Sequence, residues 1–270
     1  MNQLFTARYI DMPEGLAFVE EWGEGIPLLC IHSAGQSGVQ YRRAAATLAS
    51  LGYRVIVPDL PGHGRSEPHR DGAVVDLGLY VEWLIALSQL LELDRPVIVG
   101  CSIGGKITID IATRMGTAIR AAYAMSATAA PGHISLSGLR RELEDVAAPS
   151  RTDRTYYGTR AVVGSAATEQ KRELIARMHS REDPEVSTSD LLGWGSHSIL
   201  GRLASIAVPF HLVIGADDLW VPRELGEQTV AAIPNADFSY LTGVGHYPME
   251  ELAEFPSMLD TWLRSREVVQ

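Results

Sequence analysis

The chain has 270 residues, 46% of them hydrophobic and 21% charged, with a net charge of −10. That balance suits one large α/β domain, or a domain carrying an insertion, and excludes wholesale disorder. Its acidic excess argues against a nucleic-acid binder or an anionic-membrane binder, since both need a basic face.

Two cysteines, Cys30 and Cys101, lie in apolar strand patterns. Buried thiols in a reducing cytoplasm are expected rather than a disulfide. Met1 to Asp11 has no basic segment followed by an apolar run, so no signal peptide is expected. No apolar run approaches a membrane span.

In chain order, Tyr9 to Asp11 and Leu16 to Glu21 read as a hairpin across Pro13-Glu14-Gly15, and Gly23-Glu24-Gly25 makes a turn. Ile26 to His32 is a buried strand ending in the loop from Ser33 to Gly38. Tyr41 to Leu51 has helical spacing, stopped by Gly52. Tyr53 to Asp59 is a strand, and Leu60 to Ser66 is rich in turn residues. Leu77 to Leu93 reads as a helix, Pro96 to Gly100 as a strand, Ile103 to about Arg114 as a helix and Ile119 to Met125 as a strand.

After Pro131-Gly132 the rhythm changes. Helical patterns occur, at Leu136, Leu139, Leu143 and Val146 and again at Leu174, Ile175 and Met178 behind Thr168 as an N-cap, but no convincing strand does. Strand rhythm returns at Val208 to Gly215; Arg223 to Ala232 is helical, Asp237 to Leu241 a strand and Glu250 to Arg264 a final helix. Alternating strands and helices mean a mostly parallel sheet covered on both faces. Residues 132–206 read as a helical insertion over the C-terminal edge of that sheet, with 1–131 and 207–270 forming the core.

One stretch carries chemistry. Gly100-Cys101-Ser102-Ile103-Gly104 matches G-x-S-x-G between a β-branched strand and a helix. A serine on such a turn exposes its oxygen, small neighbours let the backbone fold tightly, and the helix N-terminus offers free N–H groups. A serine nucleophile needs a histidine base held by a carboxylate. His246, in the glycine-rich loop Gly243 to Pro248, is the candidate base, and Asp217-Asp218, directly after the strand ending at Gly215, offer two adjacent carboxylates. The order Ser…Asp…His is that of the strand–turn–helix serine hydrolases.

These motifs together resemble an α/β-hydrolase of the esterase, enol-lactonase and haloperoxidase-like group. The matching residues are His32-Ser33-Ala34-Gly35, Asp59 to Ser66, Gly100 to Gly105, Gly215…Asp218…Pro222 and Gly245-His246. The resemblance implies the α/β-hydrolase fold with a variable cap at 132–206, Asp218 rather than Asp217 as the acid, and an oxyanion hole from the amides of Ile103 and Ala34. Ser33 stands where that family mostly has glycine; enol-lactonases of the fold have a similar Asn-Ser-Leu-Gly loop. The expected activity is hydrolysis of a small ester or lactone, with C–C hydrolysis, cofactor-free perhydrolysis, and a non-hydrolytic lyase or binding role as alternatives. Tyr247 after the histidine and Cys101 before the serine depart from the Trp and Asn usual in C–C hydrolases.

His32 is expected to brace its loop and His63 to be structural, with His69, His133 and His179 exposed and His211 alternating within a strand. Ser33, Trp194, His197, Trp220 and Tyr247 are candidate substrate contacts. Neither metal-ligand spacing nor a phosphate loop occurs, so no cofactor and no partner beyond a small-molecule substrate are expected.

Overall fold

A computed structural model describes residues 5–269, so the first four positions of the Met1–Asp11 segment lie outside the described residues. Strands β1 (Phe5–Met12), β2 (Gly15–Trp22), β3 (Ile26–Ile31), β4 (Tyr53–Pro58), β5 (Val97–Cys101), β6 (Ala121–Met125), β7 (Phe210–Gly215) and β8 (Ala236–Leu241) form one sheet in the order β1-β2-β4-β3-β5-β6-β7-β8. The β1–β2 and β2–β4 pairs are antiparallel and the remaining pairs parallel.

The central strands are buried on both faces, which explains their unbroken apolar runs. Alternation sends Leu28, Cys30, Val97 and Val99 into the core on one face and Leu29, Ile31 and Ile98 into the core on the other. Helices α1 (Arg42–Ser50), α2 (Leu77–Leu90), α3 (Ile103–Met115), α8 (Arg223–Ala231), α9 (Pro248–Glu251) and α10 (Phe255–Ser265) cover these faces. The final helix is thus two. Leu252 is extended, and Pro256, which has no N–H to donate, sits in the first turn of the second piece.

Between β6 and β7 lie α4 (Leu136–Glu144), α5 (Arg151–Val162), α6 (Glu169–His179) and α7 (Pro184–Ser196). Thr168 caps α6 through its side chain, as Ser135, Ser150 and Asp183 cap the other three. The polar sequences of α5 and α7 carry no clear apolar stripe, so those two helices have little periodicity to read. Val146 lies beyond the end of α4 and is fully exposed.

The two ends of this insertion are joined. Gly132 N–H donates to Trp194 O at 3.0 Å, and Ile199 N–H donates to Ala129 O at 2.9 Å. Lys106 on α3, fully buried, donates from Nζ to the carbonyls of Ala130 and His197. Among the described residues no helix is long and apolar enough to cross a membrane.

Candidate active site

Four loops at the C-terminal ends of parallel strands meet around one cavity of about 580 Å³. After β5 comes Ser102, at φ 59° and ψ −119°. A non-glycine residue in that region is held against a cost of about 1–3 kcal/mol. Its backbone is held on both sides: Ser102 N–H donates to Met125 O at 3.0 Å and Lys106 N–H to Ser102 O at 2.9 Å. The turn is tight enough that a Cβ on Gly100 would lie 2.1 Å from Gly104 O, and one on Gly104 2.4 Å from Ile31 O. Ser102 occupies the N-cap position of α3 without using its side chain as a cap, so the hydroxyl is not spent on the helix.

After β7, the Asp218 side chain is fully buried; its Oδ1 accepts the Trp220 and Val221 amides at 2.9 and 3.2 Å. After β8, His246 is buried and its Nδ1 lies 2.7 Å from Asp218 Oδ2. A carboxylate accepts only, so Nδ1 carries the hydrogen on that side and Nε2 is the nitrogen placed to take a proton. Nε2 is buried with no hydrogen-bond partner among the described residues, on a ring that lines the same cavity as Ser102. Asp217 turns away: its Oδ2 accepts the Ser165 amide at 2.6 Å, and the Ser165 hydroxyl, with that amide, holds its carboxyl below the usual range.

Ser33 and Ala34, after β3, and Ile103, at the start of α3, line the cavity too. Backbone N–H groups at a helix start lack intrahelical acceptors. In the facing loop Ser33 N–H donates to Gln40 Oε1, Gly35 N–H to Asp190 Oδ2 and Gln36 N–H to Ser33 O; none of these bonds engages the Ala34 amide. Trp194, Trp220 and Tyr247 complete the apolar wall, with the Trp220 and Tyr247 rings edge-on to His246 at 4.7 and 4.9 Å. From the insertion, Glu142, Arg151, Thr155 and Glu182 add polar groups that no motif marks in the sequence. A larger cleft of about 910 Å³ adjoins at Gln36 and Glu182 but contains neither Ser102 nor His246.

Three histidine expectations are corrected. His197 does not face the cavity. Its Nε2 lies 2.9 Å from Asp110 Oδ2, in a buried cluster where His197, Arg114 and Arg202 offset the desolvation of Asp110 and hold its carboxyl well below the usual range. Nor is His179 exposed: α6 buries it, with Nε2 2.7 Å from Glu250 Oε2. His69 is half-buried, and His133 is exposed at the cavity rim. Both cysteines are free and buried, and burial pushes their thiols well above the ordinary range, which makes Cys101 a poor nucleophile beside Ser102.

Glu251 is a residue that the sequence reading missed. Its buried carboxylate accepts the amides of Gly164, Gly245 and Tyr247 at 2.8, 2.7 and 3.0 Å, clamping the backbone on both sides of His246. The visible signal is an acid five positions after the histidine, where α9 ends.

A sequence model described as the alpha/beta hydrolase family matches residues 28–255. The chain belongs to the alpha/beta hydrolase family. It is 25% identical over 277 residues to a 2-hydroxy-6-oxononadienedioate/2-hydroxy-6-oxononatrienedioate hydrolase of Cupriavidus pinatubonensis, covering 92% of each chain. Among solved structures it resembles a thermophilic esterase from Thermogutta terrifontis (TM-score 0.82, 22% identity, 98% and 99% covered). It also resembles the enol-lactonase of Burkholderia xenovorans (TM-score 0.83, 17% identity, 95% and 100% covered). At these identities the two structures speak for the α/β-hydrolase fold, not for a substrate.

Proposed function

We propose that this α/β-hydrolase is a serine hydrolase that cleaves a small carboxylic ester or lactone through an acyl-enzyme. The observation that carries this is the His246–Asp218 contact at 2.7 Å, which leaves Nε2 unpartnered on the cavity that Ser102 lines. A cavity of about 580 Å³ suits a small organic substrate.

In this reading Nε2 takes the Ser102 proton as Oγ attacks the carbonyl carbon, and the carbonyl π electrons move onto oxygen. The Ala34 and Ile103 amides hold that oxyanion; one such donor contributes about 3–4 kcal/mol to lowering the barrier. His246 then protonates the leaving oxygen as the C–O bond breaks. Water, deprotonated by the same nitrogen, releases the acid and returns the proton to Ser102. Asp218 fixes the tautomer and stabilises the imidazolium.

With p-nitrophenyl acetate as substrate, Ser102→Ala should abolish turnover. Asp218→Asn should lower kcat about 10⁴-fold and Asp217→Asn leave it nearly unchanged. The reverse ranking of the two aspartates would overturn the assignment of the acid.

The Cupriavidus relative favours a second reading, C–C hydrolysis of a hydroxy-oxo-dienedioate on the same three residues. Turnover of such a diketone at a higher kcat/KM than any ester or lactone would select it.

A further inference from the structure

Asp190, on α7, does not line the cavity, yet it is bonded to the loop that does. Its side chain is fully buried. Oδ2 accepts the Gly35 amide at 2.8 Å and faces His63 Nε2 at 2.8 Å, and Oδ1 accepts the Tyr80 hydroxyl at 2.9 Å. The other ring nitrogen of His63, Nδ1, lies 3.1 Å from Pro61 O. Pro61 O only accepts and a carboxylate at Asp190 does the same, so both ring nitrogens are placed to donate and the pair suits a protonated His63. The charges agree: burial works against the cation, and Asp190, with smaller help from the Pro61 carbonyl and Asp59, more than offsets it, raising the His63 pKa above its ordinary value.

His32, its rings 4.8 Å from those of His63, is the opposite case. Its Nδ1 faces Ser33 O at 2.9 Å while its Nε2 accepts the Leu60 amide at 3.0 Å, which only the neutral Nδ1–H tautomer satisfies. Burial pushes its pKa down to about 3.

These bonds fix two successive peptide planes. Ser33 O is held by His32 Nδ1–H and by the Gln36 amide. In a trans peptide the N–H points opposite the carbonyl, so the Ala34 amide is sent the other way. The next plane, between Ala34 and Gly35, is held by Asp190 through the Gly35 amide. A buried ion pair is weak evidence for stability; this one fixes a direction.

We propose that Asp190, held by His63 and Tyr80, is a positioning residue that, by fixing the peptide plane after Ala34, keeps the Ala34 amide in place for the oxyanion, coupling α7 of the insertion to the chemistry of the core. The proposal rests on the serine-hydrolase reading. Loss of turnover in Ser102→Ala tests that reading separately, so a failure here is distinguishable from a failure there.

The experiment measures kcat and KM on p-nitrophenyl acetate for Asp190→Ala and Asp190→Asn, per site titrated with a fluorophosphonate, together with inhibition by phenylboronic acid. Misplacing one donor by about 1 Å should lower kcat of the alanine variant roughly 10–100-fold, with KM within about threefold. The boronate inhibition constant should rise by the factor lost in kcat/KM. Asparagine keeps an oxygen for the Gly35 amide and should stay within about fivefold of wild type. Asp190→Leu, closer in volume, replaces alanine if that variant does not fold, with the same expectation. Two results would overturn the proposal: unchanged kcat per titrated site, so that any loss lies in the titratable fraction alone, or equal losses in the apolar variant and Asp190→Asn.

Discussion

Ser102 is strained because its neighbours leave it no alternative. The chain must leave a buried strand and enter a helix within one residue, and Gly104 makes this possible by lying against the Ile31 and His32 carbonyls. A methyl there would sit 2.4 and 2.6 Å from those oxygens, both backbone atoms that cannot rotate away. Gly104→Ala should therefore destabilise the fold by about 1–3 kcal/mol, the range for forcing an extra methyl into a packed site. It should also displace β3 against α3, where the Ala34 loop begins. Thermal melts with and without phenylboronic acid would check this: a lowered Tm and weakened boronate protection are expected, and an unchanged Tm would mean that the turn has slack.

At the scale of elements, α3 anchors the insertion. One turn after Ser102, Lys106 reaches the carbonyls of Ala130 and His197, where the insertion leaves and re-enters the core, and Asp110 holds the His197 ring. Burial pushes the Lys106 pKa from 10.5 down to about 8. Below pH 8 both folded and unfolded chains hold the proton, and the desolvation cost is fully present. Between about 8 and 10.5 the unfolded chain binds more protons than the folded one, so the contribution of this group to stability rises with pH. The rise across that range is on the order of 3 kcal/mol. Denaturant unfolding of wild type and Lys106→Met at pH 7.5 to 10.5 should give curves that diverge, with the wild type gaining relative to the variant as pH rises. Parallel curves would mean that Lys106 stays charged throughout.

For the molecule as a whole, the legible parts were those with local causes. Unbroken runs such as Leu28 to Ile31 and Val97 to Val99 marked central strands, because both faces of the sheet are covered. Positions after strand ends single out Ser102, His246 and the pair Asp217-Asp218 as candidates, because loops at the C-terminal edge of a parallel sheet are where sites form; the family resemblance chooses Asp218 from that pair. What stayed illegible depends on distant contacts. Asp190 and Glu251 look like surface acids until the fold brings backbone amides from elsewhere in the chain to each: Gly35 lies 155 positions from Asp190, and Gly164 lies 87 from Glu251. His197 and His179 read as cavity and surface residues because their carboxylate partners, Asp110 and Glu250, are 87 and 71 positions away. The cavity wall from α4 and α5 has no motif, since nothing in a helix's own sequence says which neighbour it will face.

The proposed activity turns on Ser102 as a nucleophile activated by His246. Its most direct test is incubation of the folded protein with a fluorophosphonate, followed by mass spectrometry of the intact chain and its peptides. Attack of Oγ on phosphorus expels fluoride, so one adduct per chain is expected, on the peptide containing Ser102, and it should be absent from Ser102→Ala and slowed strongly in His246→Ala. No adduct on folded wild-type protein, or an adduct on another residue that survives Ser102→Ala, would contradict the account.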